Sequence, residues 1–176
     1  MIELGILADD LTGGMMVASL LEREGVDCPL VTSVDELESL ANSTATAVVV
    51  ARKIRLIPAK DARKEAIKTV QALKSIGCKR FYYKYCATFD STSQGNIGPI
   101  AEAMMEELDA SRTIFCPAFP EYTVTIFQGR MFLGNTPLGE SFKKNDPVTP
   151  MTNSNLVEVL ASQTNQKVGL IPHSLL

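Results

Sequence analysis

Short apolar runs alternate with helical patterns along this chain, and that alternation limits the fold more than any other feature of the sequence. The runs are mostly continuous, as expected of strands covered on both faces, and they predict strands at 2–8, 28–32, 46–51, 80–85, 112–118 and 167–171. The stretches between them predict helices at about 13–24, 34–41, 59–76, 96–108 and 153–163. Such alternation indicates an α/β fold, a three-layer α/β/α arrangement with a largely parallel sheet.

One region departs from the alternation. Residues 119–151 are rich in glycine and proline, and "TVTIFQGRMFLGNTPLGESF" suggests one or two antiparallel strands with a turn at Gly134-Asn135. We therefore expect a β-hairpin-containing insertion at about 119–151. Long insertions often form lids or interfaces, so a homodimer is among the expected assemblies.

The length of 176 residues suits one domain with a sizeable core. The chain closes on "KVGLIPHSLL", which reads as a strand with no helix after it. Either this strand lies at the sheet edge or the chain is part of something longer. We expect residues 1–176 to form one domain, and an incomplete one.

Charge and cysteine content exclude several classes of protein. The net charge is −3 and the basic residues are scattered, so a nucleic-acid partner is not expected. The four cysteines form no CxxC pair and His173 is the only histidine, which disfavours a metal site or a Cys-His nucleophile. No basic segment precedes an apolar N-terminal stretch, and no apolar run is long enough to span a membrane. We expect a cytoplasmic protein with reduced, mostly buried thiols and no membrane contact.

Three polar clusters lie at the carboxyl ends of predicted strands, at the edge where ligands bind in open α/β sheets. They comprise Asp9, Asp10 and Thr12, then Lys53 and Arg55, and then Lys84 with Asp90, Ser91, Thr92, Ser93 and Asn96. A small polyhydroxy acid would suit them, because arginine or lysine binds a carboxylate while aspartate and asparagine bind hydroxyls. An aspartate could also act as general base toward a hydroxyl that is being phosphorylated.

Each cluster also has a structural interpretation. Asp10 could simply cap the first helix, and Lys53 and Arg55 could be solvated loop charges. The hydroxyl residues at 91–93 are common in turns. No phosphate-binding loop follows the first strand, because Gly13-Gly14 is part of neither GxGxxG nor GK[ST]. Pattern alone therefore predicts an α/β domain with a polar ligand site.

Longer motifs run along the chain, and two of them contain the first and third clusters. The motifs are "LGILADDLTGGMMVASLLEREGV", "YYKYCATFDSTSQGNIGPIAEAM", "CPAFPE", "QGRMFLGNTPLGES" and "DPVTPMTNSNLVEVL". In this order, between about residues 2 and 171, they resemble the N-terminal domain of the four-carbon acid sugar kinases, also called 3-oxo-tetronate kinases. Several of the motifs are long, which makes the resemblance more specific than a short pattern.

The resemblance implies an activity and a division of labour. Members of that family use ATP and Mg²⁺ to phosphorylate the terminal hydroxyl of a four-carbon sugar acid, such as a 3-oxo-tetronate, threonate or erythronate. The N-terminal domain supplies most of the sugar-acid site, and a separate C-terminal domain binds most of the nucleotide. The implied partners are thus the sugar acid and that C-terminal domain, and this chain alone is expected to be inactive.

The resemblance also assigns residues. Asp9 and Asp10 match the aspartates of the ADDxTG motif and are predicted to be catalytic. The predicted substrate-binding residues are Thr12, Arg55, Lys84, Thr88, Asp90, Ser91 and Asn96.

Two departures from the family pattern leave a second interpretation open. Met16 stands where the family has aspartate or asparagine, and residues 122–125 replace Asn-Gly-Arg-Thr, which puts Val124 in the place of an arginine. The alternative is a non-catalytic sugar-acid-binding module or a degenerate paralogue.

Overall fold

The computed structural model describes residues 2–40 and 42–175. The chain divides into two compact units. The first comprises the chain up to residue 85 together with residues 100–113, and the second comprises residues 86–99 and the chain from residue 114 onward. Each unit has a sheet of its own.

The sheet of the first unit is parallel. Its strands are β1 (Leu4–Ala8), β2 (Leu30–Val31), β3 (Ala47–Ala51) and β4 (Arg80–Lys84), in the spatial order β2-β3-β1-β4. The segments between them form α1 (Leu11–Arg23), a 3-10 helix (Val34–Leu40) and α2 (Ala59–Ser75). Every neighbouring pair of these strands runs in the same direction, which confirms the predicted parallel sheet.

Alternate residues of the central strands face two different apolar layers. Ile6 and Val49 belong to a cluster against which residues of α1 pack. Leu7 lies instead with Ala62 and Ala66 of α2. Helices therefore cover both faces of the sheet, and the three-layer α/β/α arrangement is confirmed. The central strands β1 and β3 are buried almost along their whole length. In the edge strand β4, exposed residues alternate with more buried ones.

The second unit contains an antiparallel sheet. Its strands are β5 (Val124–Phe127), β6 (Arg130–Leu133) and β7 (Thr136–Pro137). Gln128 and Gly129, both with positive φ, make the two-residue turn between β5 and β6. Gly134-Asn135 makes the next turn, as predicted. The β-hairpin-containing insertion is thus confirmed.

Two further α-helices are described, together with short 3-10 helices at Pro120–Tyr122, Leu138–Glu140, Phe142–Asn145 and His173–Leu175. Helix α3 (Ile97–Glu107) begins in the second unit and continues in the first, where Ile100 and Ala103 pack in the same cluster as α2. Helix α4 (Leu156–Ala161) lies in the second unit, and Asn155 caps it by accepting a hydrogen bond from the Val157 N–H.

Some predicted elements are wrong. Residues 112–118 and 167–171 are irregular rather than strands, and Ile114 and Leu170 are exposed. An apolar run becomes a strand only where a neighbour completes its hydrogen bonds, and Pro117 removes one donor from the first of these runs. The helix predicted at 34–41 is a 3-10 helix that ends at Leu40, and residue 41 lies outside the described residues.

Across residues 2–40 and 42–175, the helices are too short or too polar for any of them to span a bilayer.

Candidate functional site

The carboxyl ends of β1, β3 and β4 meet around the backbone of Asp9 in the first unit. The Asp9 N–H donates to the carbonyl of Lys84, the last residue of β4, at 3.0 Å. The Asp9 carbonyl accepts from the N–H groups of Ile54 and Arg55, which follow β3, at 3.0 and 3.2 Å. Parallel strands thus bring together Asp9, Arg55 and Lys84, although the first and the last of them are 75 positions apart in the sequence.

Arg55 binds both aspartates of the Asp9-Asp10 pair. Its Nε and Nη2 donate to Oδ2 and Oδ1 of Asp9 at 3.1 and 2.7 Å, which is a bidentate contact. Its Nη1 lies 2.9 Å from Oδ2 of Asp10. The Asp9 side chain is 2 % exposed and the Asp10 side chain 30 %, so Asp10 is the aspartate that a ligand can reach.

Burial and the neighbouring cations have opposite effects on the pKa of Asp9. Burial raises the pKa of the Asp9 carboxyl above its ordinary value of 3.8, while Arg55 and, more weakly, Lys84 oppose that increase. Tyr83, the residue before Lys84, also responds to the cluster, because burial first and the Asp9 charge second raise the pKa of its phenol. The sequence did not single out Tyr83, whose hydroxyl is buried.

The start of α1 supports the same cluster. Oδ1 of Asp10 accepts the N–H of Gly13 at 2.7 Å, so Asp10 does cap the helix while its other oxygen faces Arg55. A Cβ atom at Gly13 would lie 2.6 Å from that Oδ1 and 3.3 Å from Nζ of Lys84. Only glycine therefore leaves room for both side chains. Thr12 is exposed in the first turn of α1.

A cleft of about 500 Å³ lies beside this cluster in the first unit. Leu11, Ile54 and Ile57 form its apolar part. Arg52 and Lys53 are also in the lining; Arg52 pairs with Glu65, whereas Lys53 is exposed. Lys53 therefore fits its interpretation as a solvated charge, and Arg55 does not.

The second unit contains a separate polar cluster around Asp90. Its Oδ1 accepts a hydrogen bond from the hydroxyl of Thr88 at 2.6 Å and lies 2.9 Å from Nζ of Lys143. The same ammonium group donates to Oδ2 of Asp146 at 2.9 Å. Neither Lys143 nor Asp146 stood out in the sequence, because "FKKNDP" reads as a run of surface charges.

Ser91 and Asn96 lie near this cluster in the chain, and both are buried. The Ser91 hydroxyl accepts a hydrogen bond from Nε2 of Gln163 at 2.7 Å, and Gln163 also bonds the carbonyl of Thr92 and the N–H of Gly98. Gln163 thus holds the polar loop that precedes α3, a role that the sequence did not reveal. This contact agrees with the interpretation of Ser91 as a structural residue of a turn.

No three His, Cys, Asp or Glu side chains are grouped for metal binding within the part of the chain that the structure describes.

Comparison with known proteins identifies relatives of the whole chain. A family model described as the sugar-binding N-terminal domain matches residues 4–176. A 3-oxo-tetronate kinase of Pseudomonas savastanoi pv. phaseolicola is 45 % identical over 168 residues, which are 96 % of this chain and 39 % of that protein. A 3-oxo-tetronate kinase of Haemophilus influenzae is 41 % identical over 97 % of this chain and 41 % of its own length. The chain thus spans about two fifths of these relatives.

Solved structures agree with these matches. The crystal structure of a Haemophilus influenzae protein superposes with a TM-score of 0.89 at 38 % identity, covering 97 % of this chain and 41 % of that one. A Bordetella bronchiseptica protein, crystallised with bound citrate as a domain-swapped dimer, gives a TM-score of 0.78 at 29 % identity. That match covers 91 % of this chain and 40 % of the other.

Proposed function

The chain belongs to the family of sugar-binding N-terminal domains, and from that membership we propose that it is the substrate-binding part of an ATP-dependent four-carbon acid sugar kinase. The complete enzyme would phosphorylate the terminal hydroxyl of a 3-oxo-tetronate, a threonate or an erythronate. Relatives that carry the name 3-oxo-tetronate kinase support this proposal. The observation that carries it is the cluster of Arg55, Lys84 and the two aspartates at the carboxyl edge of the parallel sheet.

ATP and Mg²⁺ belong to the proposal only for the complete enzyme. The Asp9-Asp10 pair does not suit a bound metal–nucleotide complex, because Mg²⁺ needs carboxylate oxygens that are free to bind it. Arg55 already occupies both of those carboxylates. We assign the nucleotide to a C-terminal domain in the additional length of the relatives, and we expect this chain alone to be inactive and the enzyme to be cytoplasmic.

Within the first unit, accessibility distinguishes the proposed roles of the two aspartates, whereas Lys84 is itself buried and its Nζ donates to the carbonyl of Tyr85. Arg55 and Lys84 supply positive charge for the carboxylate of the sugar acid, and Thr12 supplies an exposed hydroxyl. Asp10, which is partly exposed, would contact the hydroxyl that is phosphorylated and accept its proton. Asp9 is almost fully buried and holds both Nε and Nη2 of Arg55, so it would fix the guanidinium plane.

Within the second unit, Thr88, Asp90, Ser91 and Asn96 remain proposed contacts of the sugar acid. Asp90 is the strongest of them, because its side chain is partly exposed and already oriented. Ser91 is the weakest, because its hydroxyl bonds Gln163. Variants in each unit test these contacts separately.

A non-catalytic sugar-acid-binding module is the second candidate, and Val124 favours it. The resembled family has an arginine at this position, whereas Val124 is 3 % exposed and lies in β5, paired with Leu133 of β6. An apolar residue that is buried in a hairpin cannot supply the charge of the arginine. Catalysis by a complete enzyme that contains this chain distinguishes the two candidates.

Isothermal titration calorimetry with four-carbon acids tests the proposal. We expect the chain to bind a 3-oxo-tetronate, D-threonate or D-erythronate and not ATP. Arg55→Met should abolish most of that affinity, whereas the control variant Lys79→Met should leave it unchanged, because Lys79 is an exposed cation before β4, at the opposite end of that strand from Lys84. If none of the acids binds, or if ATP alone binds tightly, the proposal is wrong.

A homodimer is a further part of the proposal. The Bordetella bronchiseptica relative crystallised as a domain-swapped dimer, and the chain has an exposed Phe127 on its hairpin. Light scattering after size-exclusion chromatography should give about twice the mass of one chain, and a single-chain mass at all concentrations would refute it.

A further inference from the structure

Lys143 is a buried cation in a segment that looks like surface. Its neighbour Lys144 is exposed, whereas the Lys143 side chain is 10 % exposed. Nζ of Lys143 lies 2.9 Å from Oδ1 of Asp90 and 2.9 Å from Oδ2 of Asp146. Burial of an ammonium group is unfavourable unless carboxylates compensate for the lost water, and here two of them do so.

Asp146 holds this ammonium group from one side. Oδ1 of Asp146 accepts the backbone N–H groups of Val148 and Thr149 at 3.0 and 2.8 Å, while Oδ2 faces Lys143. Both oxygens of Asp146 are therefore occupied. Lys143 remains charged as well, because its bonds to Asp90 and Asp146 outweigh the effect of burial and raise its pKa.

Asp90, on the other side, is occupied at one oxygen only. Oδ1 lies beside Lys143 and accepts the Thr88 hydroxyl, whereas Oδ2 accepts no hydrogen bond from residues 2–40 or 42–175. The Asp90 side chain is 18 % exposed, so a ligand can reach it. The result is a fixed carboxylate with one oxygen available to a hydroxyl.

The backbone before Asp90 is held in an unusual conformation. Phe89 has a φ of 54° and is 1 % exposed, although an aromatic residue seldom adopts the left-handed region. Such strain persists only where the surrounding structure maintains it, and it is concentrated at binding sites. The burial of Phe89 and the contact with Lys143 therefore both fix the direction of the Asp90 side chain.

We propose that Lys143 is a positioning residue, which orients Asp90 so that Oδ2 accepts a hydroxyl of the bound sugar acid. This inference rests on the proposed function, since it needs a hydroxylated acid as ligand. Lys143 acts through Asp90, and its effect on binding should disappear when Asp90 is removed.

Calorimetry on the unmodified chain and four variants tests the inference. With the tetronate that the wild-type chain binds best, Lys143→Met should weaken binding about ten- to hundredfold, the range expected for a hydrogen bond to a charged group. Lys144→Met, the adjacent exposed lysine, should bind as the wild type does. Asp90→Asn should weaken binding as much as Lys143→Met, and the double variant should weaken it no further. Additive losses would contradict action through Asp90.

Two further measurements would distinguish a positioning role of Lys143 from a purely structural one. Lys143→Arg retains a cation that can bond both carboxylates, so it should restore binding to within a few-fold of wild type. Deoxy analogues of the acid, each lacking one hydroxyl, should include one that binds wild type and Lys143→Met equally. If every analogue loses affinity in the variant by the same factor as the parent acid, Lys143 does not act through a hydroxyl contact.

The outcomes separate this inference from the proposed function. If wild type binds no four-carbon acid, the proposed function is wrong and the inference falls with it. If wild type binds and Lys143→Met binds equally well, only the inference is wrong. Should Lys143→Met fail to fold, Asp146→Asn decides, because it loosens Lys143 without altering Asp90. Weaker binding by Asp146→Asn supports the inference, and unchanged binding contradicts it.

Discussion

Arg55 donates two hydrogen bonds to Asp9, from Nε to Oδ2 at 3.1 Å and from Nη2 to Oδ1 at 2.7 Å. The pair joins the residue after β1 to the loop after β3, and both side chains are largely buried. The guanidinium group therefore cannot rotate without leaving a buried carboxylate unpaired. Any role of Arg55 in binding an acid depends on Asp9.

The first prediction concerns this pair. Asp9→Asn keeps the shape of the side chain but leaves a buried guanidinium with a single carboxylate, that of Asp10. We expect the free energy of unfolding to fall by about 3 kcal/mol, as for other broken buried ion pairs. Urea titration followed by far-UV circular dichroism measures it. The control Glu38→Gln removes an exposed carboxylate and should have almost no effect.

The double variant Asp9→Asn/Arg55→Gln completes the measurement. Removal of both partners avoids the unpaired charge, so the double variant should be more stable than the sum of the two single changes implies. Strict additivity would mean that the two side chains do not stabilise one another.

A second prediction concerns Gly13 at the start of α1. Alanine favours a helix over glycine by about 1 kcal/mol, yet a Cβ here would lie 2.6 Å from Oδ1 of Asp10. Asp10 must then turn away, which removes the helix cap and the contact with Arg55. We expect Gly13→Ala to lower stability by about 1 kcal/mol, because the lost cap and contact outweigh the gain in propensity. Thermal unfolding measures the sign, and a higher melting temperature would contradict it.

Much of the first unit could be predicted from sequence, for identifiable reasons. The runs at β1 and β3 are apolar on both faces, and that pattern requires cover on both sides of a sheet. Asp9 and Arg55 follow strands that proved parallel and Lys84 ends another, so the topology brings all three to one edge. The pairing of Arg55 with both aspartates could not be foreseen, since the sequence also allowed Arg55 to be a solvated loop charge.

The second unit was harder to predict because its contacts are distant along the chain. Lys143 contacts Asp90 across 53 positions and Gln163 contacts Ser91 across 72, and no local period marks such contacts. The run at 112–118 has the composition of a strand, but composition does not provide a neighbouring strand to pair with. The turn at Gly134-Asn135 was predicted correctly, because the conformation of such a turn depends mainly on its own two residues.

A third prediction concerns the backbone of Thr123. This β-branched residue has a φ of 58°, a conformation that is unfavourable for it and easily adopted by glycine. Its side chain is exposed, so little packing is lost on substitution. Thr123→Gly should raise the free energy of unfolding by about 1 kcal/mol. Thr125→Gly, in the extended part of β5, is the control and should lower it.

A fourth prediction concerns the thiols, which the sequence suggested would be mostly buried. Cys28 and Cys78 are buried, whereas Cys116 is exposed. Burial raises the pKa of Cys28 and of Cys78 to about 11, which leaves about one thiolate per thousand thiols at pH 8. Ellman's reagent should therefore label Cys116 first, and Cys116→Ser should remove the fast phase. Rapid labelling of Cys28 or Cys78 in the folded protein would contradict this assignment.

The last prediction concerns pH and Asp146. Hydrogen bonds from the Thr149 backbone, from Lys143 and from the Val148 backbone hold the pKa of Asp146 below its ordinary value of 3.8. The folded state thus binds the proton less readily than the unfolded state does. Asp146 therefore stabilises the fold above pH 3.8, and that contribution is lost as pH falls below this value toward the folded pKa.

Asp146→Asn should destabilise the chain at pH 7, and its difference from wild type in the free energy of unfolding should shrink between pH 5 and pH 2. Urea titrations across that range measure the difference, with Asp61→Asn, an exposed aspartate in α2, as the control. A difference that stays constant down to pH 2 would show that the ionised carboxylate is not what stabilises this loop.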